Sequence, residues 1–422
     1  MVMNVSRSLK HLDLSSNLLS GDISQILGSL GPWSYLALDS NELNGHIPEM
    51  VKNFPSSLQY LSLTFNYIVG EIPQTMGNLT NLKYLGLSDN NIIGGIPTTF
   101  GDLINLESLL LQGNNFSRQI PEIIGNLTNL KYLDLSNNNI IGGIPTALVI
   151  SSTWKSLWLS ENNISGQIPE TIGNLTNLEY LDFSNNNIIG GIPMAFGDLI
   201  NLESLGLQGN KISRQIPETI GNLTNLKYLD FSYNNITGAI PISIGDLINL
   251  EILGLQGNKI SGQIPETIGN LQNIPSLSLS DNFISGKIPD TFSRLYNLEI
   301  LDVSYNHFTK LVFGTQLCNL NSIDLSHNHI DGELTDLIDA LLDCKQGASL
   351  DISIGANNLS GIVPSSMGQL SMLRGLDLSS NLLEGNITEA HFSKLTNLTY
   401  LDISYNSLNV ILPNDWLPPF NA

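Results

Sequence analysis

Positive charge is scarce in this chain: 17 Lys and Arg stand against 38 Asp and Glu, a formal net charge of -21. Nothing here can neutralise a phosphate backbone, which excludes nucleic acid as a partner. An acidic field favours a neutral or basic partner instead. Charge of either sign covers only 13% of the residues, so Asn, Ser, Thr, Gln and Gly must clothe the surface. The two cysteines, Cys318 and Cys344, are too few for a disulfide framework and leave the redox compartment open. No run of 18 apolar residues occurs, so no segment is expected to span a membrane, and the opening residues lack the apolar stretch of a leader. Of the six histidines, His327 and His329 flank an Asn with no third ligand nearby, so no metal site or cofactor is expected.

What the chain has instead is repetition. Aligned on Asn17, the same position recurs at Asn41, Asn66, Asn90, Asn114, Asn138, Asn162, Asn186, Asn210, Asn234, Asn258, Asn282, Asn306, Asn328, Asn357, Asn381 and Asn406, giving 17 units. Every step from Asn66 to Asn306 is 24 residues; the register then slips to 22, stretches to 29 before Asn357, and returns to 24 and 25. A fixed period of this length is the mark of a solenoid. The unit reads LxxLxLxxNxIxGxIPxxxGNLxN.

Each fixed residue has a mechanical reason. In Tyr132 to Asn138 apolar and polar residues alternate, the pattern of a strand with one buried face. Leu133 and Leu135 are expected to point inward, and Tyr132, Asp134 and Ser136 outward. The aligned Asn turns inward to satisfy backbone groups at the bend. Gly142, Gly166 and Gly190 supply freedom of φ at a tight turn. Ile144-Pro145 and Ile168-Pro169 then fix an extended segment. No unit can bury its apolar face alone, so stacking is the source of stability.

The predicted fold is therefore an α/β solenoid: a right-handed superhelix with one parallel sheet on the concave side and turns or short 3-10 helices on the convex side. Residues 1–422 read as a single array of about 17 repeats, irregular at 307–357. A longer period is also present, since residues 77–85 recur almost unchanged at 173–181 and "RQIPE" begins at both Arg118 and Arg214. This is the trace of internal duplication.

The GxIPxxxGxL insert resembles the plant-specific class of leucine-rich repeats found in receptor kinases, receptor-like proteins and polygalacturonase-inhibiting proteins. "CNLNSIDLSHNHIDGEL" (318–334), "LIDALLDC" (337–344), "GNITEAHFSKLTNL" (385–398) and "NDWLPPF" (414–420) resemble receptor-like proteins related to the ethylene-inducing xylanase receptor. That resemblance implies a cell-surface defence receptor on the extracellular side of the plasma membrane. Its ectodomain would bind an extracellular protein or peptide and signal through a partner kinase, with no enzymatic activity of its own. Members of that family carry a signal peptide, a cysteine-bearing N-terminal cap and a transmembrane helix; the expectation here is a fragment without cap, transmembrane helix or kinase. The alternatives are an inhibitor of secreted cell-wall enzymes, against which the length and the "WLPPF" segment speak, and a non-functional receptor remnant.

Concave columns are the natural place for a partner, being broad, rigid and free of structural duty. One column holds Tyr35, Tyr60, Tyr84, Tyr132, Tyr180, Tyr228 and Tyr400. Exposed strand aromatics serve as contact anchors, although Tyr also packs well across strands. The seventh unit is the most individual: Trp154 takes a core Leu position, and Trp158 falls on an outward position with Tyr132 and Tyr180 expected on either side. The partner-binding candidates are Trp158, Tyr132, Tyr180, Tyr84 and Tyr228. A column of Lys83, Glu107, Lys131, Lys155, Glu179, Glu203, Lys227 and Glu251 reads as a ladder of ion pairs. Outward aspartates (Asp134, Asp182, Asp230, Asp302, Asp324) suggest a glycosidase pair only on spacing. They belong to the repeat's own pattern, and an open sheet face does not desolvate an acid.

Eleven sequons mark candidate glycosylation sites: Asn4, Asn78, Asn115, Asn126, Asn163, Asn174, Asn222, Asn235, Asn358, Asn386 and Asn397. Chance at this composition gives about seven or eight. Cys318 and Cys344, 26 residues apart, fall where the register breaks. They read equally as a disulfide between adjacent turns of a secreted chain or as two buried thiols.

Overall fold

A computed structural model describes residues 9–23, 33–149, 153–310, 320–342 and 349–420. Cys318, Cys344 and Asn4 lie outside the described residues. The chain divides into two compact units, Met1–Ile212 and Ser213–Ala422.

In the first unit, strands of three residues repeat once per coil from His11–Asp13 to Ser204–Gly206. They pair in parallel and in chain order, with Leu36, Leu61, Leu85, Leu109 and Leu133 in one register column. In the second unit the same ladder runs from Tyr228–Asp230 to Tyr400–Asp402. The alternation predicted from sequence holds: Leu133 and Leu135 are buried, whereas Tyr132 is exposed. Opposite each ladder, Pro in extended conformation (Pro169, φ -70°) feeds a five-residue 3-10 helix such as Glu170–Asn174. Gly142, Gly166 and Gly190 have φ of 83°, 83° and 90°, as the turn requires.

Two features go beyond the expectation of one sheet backed by turns. A second row of short parallel strands follows the aligned Asn; in the second unit it forms a seven-stranded sheet from Ser261–Gly262 to Ser407–Val410. Its signal was present in "NISGQ" (163–167), where Ile164 alone is buried. The irregular stretch before Asn357 contains an eight-residue α-helix, Thr335–Leu342, where most coils have a 3-10 turn and one has the shorter α-helix Ile47–Val51. A helix takes more residues to recross the coil, which accounts for the 29-residue step.

The Asn column is the backbone's main polar fixture. Asn186 Nδ2 donates to the carbonyls of Leu159 (2.9 Å), Phe183 (3.2 Å) and Ser184 (3.0 Å), and its Oδ1 accepts from Ile164 N (2.9 Å). One buried amide thus bonds four backbone groups at the bend and is the acceptor for the buried Ile164 N–H. The residue before each aligned Asn lies in the left-handed region in all 17 coils, from Ser16 (φ 55°) to Tyr405 (φ 52°). Its N–H donates to the next coil, as Glu161 N does to Ser184 O (3.0 Å).

Two of the segments with family-like sequence have structural work. His391 is buried, caps the turn at Thr388 and lies 3.1 Å by Nε2 from the Val363 carbonyl. Trp416 and Phe420 pack on Phe392, with ring centroids 5.5 and 6.1 Å away.

Candidate ligand-binding surface

Strand pairing decides which outward side chains share a column. In the first unit His11, Tyr35, Tyr60 and Tyr84 stack face to face, with successive ring centroids 4.0, 4.2 and 4.3 Å apart. Desolvation in this stack, chiefly, pushes the Tyr60 and Tyr84 phenols above their ordinary range. Tyr84 is half-buried by its neighbours, so its ring serves packing across the ladder.

Beyond Tyr84 the column changes character. Register places Ser108, Tyr132, Ser156, Tyr180 and Ser204 in succession, so each tyrosine stands between serines. With no stacking partner in the next coil, Tyr132 and Tyr180 are 37% and 38% exposed. Trp158 is half-buried and lies one column away from the position expected. Its register partners are Asp134 and Asp182, and it meets Tyr180 diagonally at 6.5 Å between ring centroids. The correction follows from the period of two: Trp158 is two residues beyond Ser156, the true column mate of Tyr132 and Tyr180. Trp154 is buried, as its Leu-like position requires.

In the second unit Tyr228 is half-buried, and its hydroxyl donates to Asp230 at 3.2 Å. A shallow cavity of about 230 Å³ opens on this unit's ladder between Ser322, Asp324, Asp351, Gly375, Asp377 and Tyr400. The guanidinium of Arg374 binds the Asp351 carboxylate through Nε and Nη2. His327 stacks on Tyr305 (4.1 Å) and His329 on His307 (5.2 Å), each on the ring one coil before. No group of three or more metal-ligating side chains occurs among the described residues.

The aspartate column has a local task. Asp134, Asp182, Asp230, Asp302 and Asp324 each accept the N–H of the Ser two residues on, at 2.9–3.0 Å. Asp302 and Asp324 face each other in register on an open sheet. Burial beside Trp158 raises the pKa of Asp134, against the lowering effect of its Ser136 hydrogen bonds. Two pairs of the charge column are seen: Lys131 Nζ lies 2.7 Å from Glu107, and Lys155 contacts Glu179. These pairs are exposed, and solvent screens them.

Nine of the ten described sequon asparagines are exposed; Asn235 is half-buried. No helix among the described residues is long and apolar enough to cross a membrane.

The family description "Leucine rich repeat" matches residues 56–116, 153–212, 201–260 and 248–308, and further leucine-rich-repeat descriptions match 8–30, 104–148, 316–333 and 397–417. No match was found among curated protein sequences. Among solved structures the chain is similar to a TDR receptor, at 32% identity and a TM-score of 0.83, covering 96% of this chain and 69% of that one. It is similar to the Arabidopsis receptor kinase HAESA, solved with the peptide hormone IDA and the co-receptor SERK1, at 31% identity and a TM-score of 0.79, covering 95% and 71%. It is also similar to the plant peptide hormone receptor RGFR1, solved with RGF2, at 30% identity and a TM-score of 0.73, covering 96% and 72%. The chain belongs to the leucine-rich-repeat family, in the form found in plant receptor ectodomains.

Proposed function

We propose that this chain recognises an extracellular peptide or small protein on its strand-ladder face, as the ectodomain of a cell-surface defence receptor-like protein that signals through a partner kinase. The observation that carries the reading is the patch formed by Tyr132, Trp158 and Tyr180, where alternation with serine leaves rigid aromatic edges open on a sheet. Aromatics of this kind are the usual anchors of an interface. The aspartates around Trp158 add negative charge, which suits a peptide with basic groups. Similarity to receptors solved with peptide hormones supports a peptide ligand, and the HAESA complex supports a co-receptor kinase. The segments at 318–334, 337–344, 385–398 and 414–420 support the relationship to the ethylene-inducing xylanase receptor.

A displayed random-peptide library, selected on the secreted protein, tests this reading. Selected peptides should protect the amides of residues 132–134, 156–158 and 180–182 from hydrogen exchange. Failure to select any peptide, or protection confined to the 3-10 turns, would overturn it.

A further inference from the structure

The cavity on the second unit's ladder is a notch left by small residues. Ser322, Asp351, Gly375 and Tyr400 follow one another in one outward column, and Asp324, Ser353 and Asp377 in the next. Ser322, Ser353 and Gly375 thus fall in successive coils on alternate columns, which leaves about 230 Å³ among the larger side chains around them. Gly375 keeps the notch open, since a Cβ there would meet Asp351 Oδ1 at 2.5 Å. A site that encloses a whole small molecule takes about 300 Å³ or more. This one suits a single side chain of a larger ligand.

Charge in the notch is one-sided. The Arg374 guanidinium holds Asp351, but neither Asp324 nor Asp377 has an ion-pair partner among the described residues. Their Oδ1 atoms accept the N–H of Ser326 (2.9 Å) and Ser379 (2.8 Å), which leaves each Oδ2 for a ligand. Desolvation, then the charges of Asp377 and Asp402, raise the pKa of the Tyr400 phenol, as a negative field requires. Asp324 and Asp377 stand two coils apart, roughly 10 Å along the ladder, with only Ser353 between them. The carboxylates are not grouped closely enough to hold a metal ion. A guanidinium, planar and with donors on both sides, can bond across the gap, whereas an ammonium is a point charge.

We propose that the notch is a subsite for one arginine side chain of a peptide ligand, its guanidinium bridging Asp324 and Asp377 and its stem resting over Gly375 beside the Tyr400 ring. Arg374 offsets only Asp351, so it tunes the charge of the site without filling it. The peptide class of the ligand rests on the proposed function. The notch itself shares no residue with the patch at Tyr132, Trp158 and Tyr180, so each can fail alone.

The test titrates acetyl-Gly-Arg-Gly-amide into the full chain and follows by NMR the methyls of Ile323 and Ile352, which line the notch. Both should shift saturably, and probes with Lys or Gln in place of Arg should bind several-fold more weakly. Asp377→Asn should weaken the arginine probe several-fold at an unchanged melting temperature. Gly375→Ala, which fills the notch, should weaken it too, and Arg374→Gln should tighten it. Asp331→Asn removes an exposed carboxylate of the second strand row and should change nothing. Silent methyls, equal binding of the Lys or Gln probe, undiminished affinity in Asp377→Asn, or equal weakening by Asp331→Asn would each overturn the inference. If the arginine probe fails while library peptides protect residues 132–134, 156–158 and 180–182, this inference falls and the proposed function stands.

Discussion

Asp134 shows how one side chain can be both structural and costly. It accepts hydrogen bonds from Ser136 N and Oγ at 3.0 and 2.6 Å, yet burial beside Trp158 raises its pKa above the ordinary 3.8. The folded state therefore holds this proton more tightly than the unfolded state. Its contribution to stability falls as pH rises from about 3.8 through the raised value, and the ionised group is a burden at neutral pH. Asp134→Asn keeps an acceptor for Ser136 N and removes the charge. Thermal melts should show the variant more stable than wild type at pH 7, with the gap narrowing on acidification to below pH 4. A gap that widens on acidification would contradict the assignment. At this scale the sequence was legible for side chains with one strong preference: Trp154 inside, Pro169 extended, Gly166 left-handed. It was silent on the left-handed residue before each Asn, because Ser16, Phe65, Glu161 and Ala356 share no chemistry. A backbone hydrogen bond to the next coil imposes that conformation, and no side chain announces it.

The coil is the element of this protein, and its polar keystone is the aligned Asn. Asn186→Ala should leave the buried Ile164 N–H without its acceptor, while the Leu159, Phe183 and Ser184 carbonyls keep Asn162 Nδ2, Asn210 Nδ2 and Glu161 N as donors. One buried orphan of this kind costs about 1–3 kcal/mol. Because each coil contacts only its neighbours, the loss should open coils near Asn186 first. Hydrogen exchange should show faster amides at 159–186 with distant coils unaffected; uniform loosening of the whole chain would contradict nearest-neighbour stacking. The strand ladder and the 3-10 turns were legible from period and punctuation alone. The second strand row was harder to see, since its strands are as short as Ile141–Gly142, in which neither residue is buried. The column of Trp158 was misread for a related reason: Trp158 and Tyr180 do meet, but diagonally, and only register separates a column mate from a diagonal neighbour.

For the molecule as a whole, family membership and fold follow from repetition, while the binding surface follows from departures from it. Seventeen near-copies of one unit dictate Leu, Asn, Gly and Pro at fixed places, so those residues carry no functional information. Trp158 is different: neighbouring coils place Asp134 and Asp182 at its position, and packing does not demand an indole there. The candidate anchors also sort by environment. Tyr84 belongs to a stacked ladder and Tyr228 bonds to Asp230, whereas Tyr132 and Tyr180 stand open beside Trp158. None of this was visible in the spacing of tyrosines, which treats them all alike.

The most direct test of recognition on the ladder face is the affinity of Trp158→Ala for a peptide selected on the wild-type chain, measured by titration calorimetry. Loss of a central aromatic anchor costs about 2 kcal/mol or more, roughly a thirty-fold rise in Kd. The account predicts that rise with an unchanged melting temperature, since the half-buried indole lies outside the core. An unchanged Kd would contradict the claim that this patch holds the ligand.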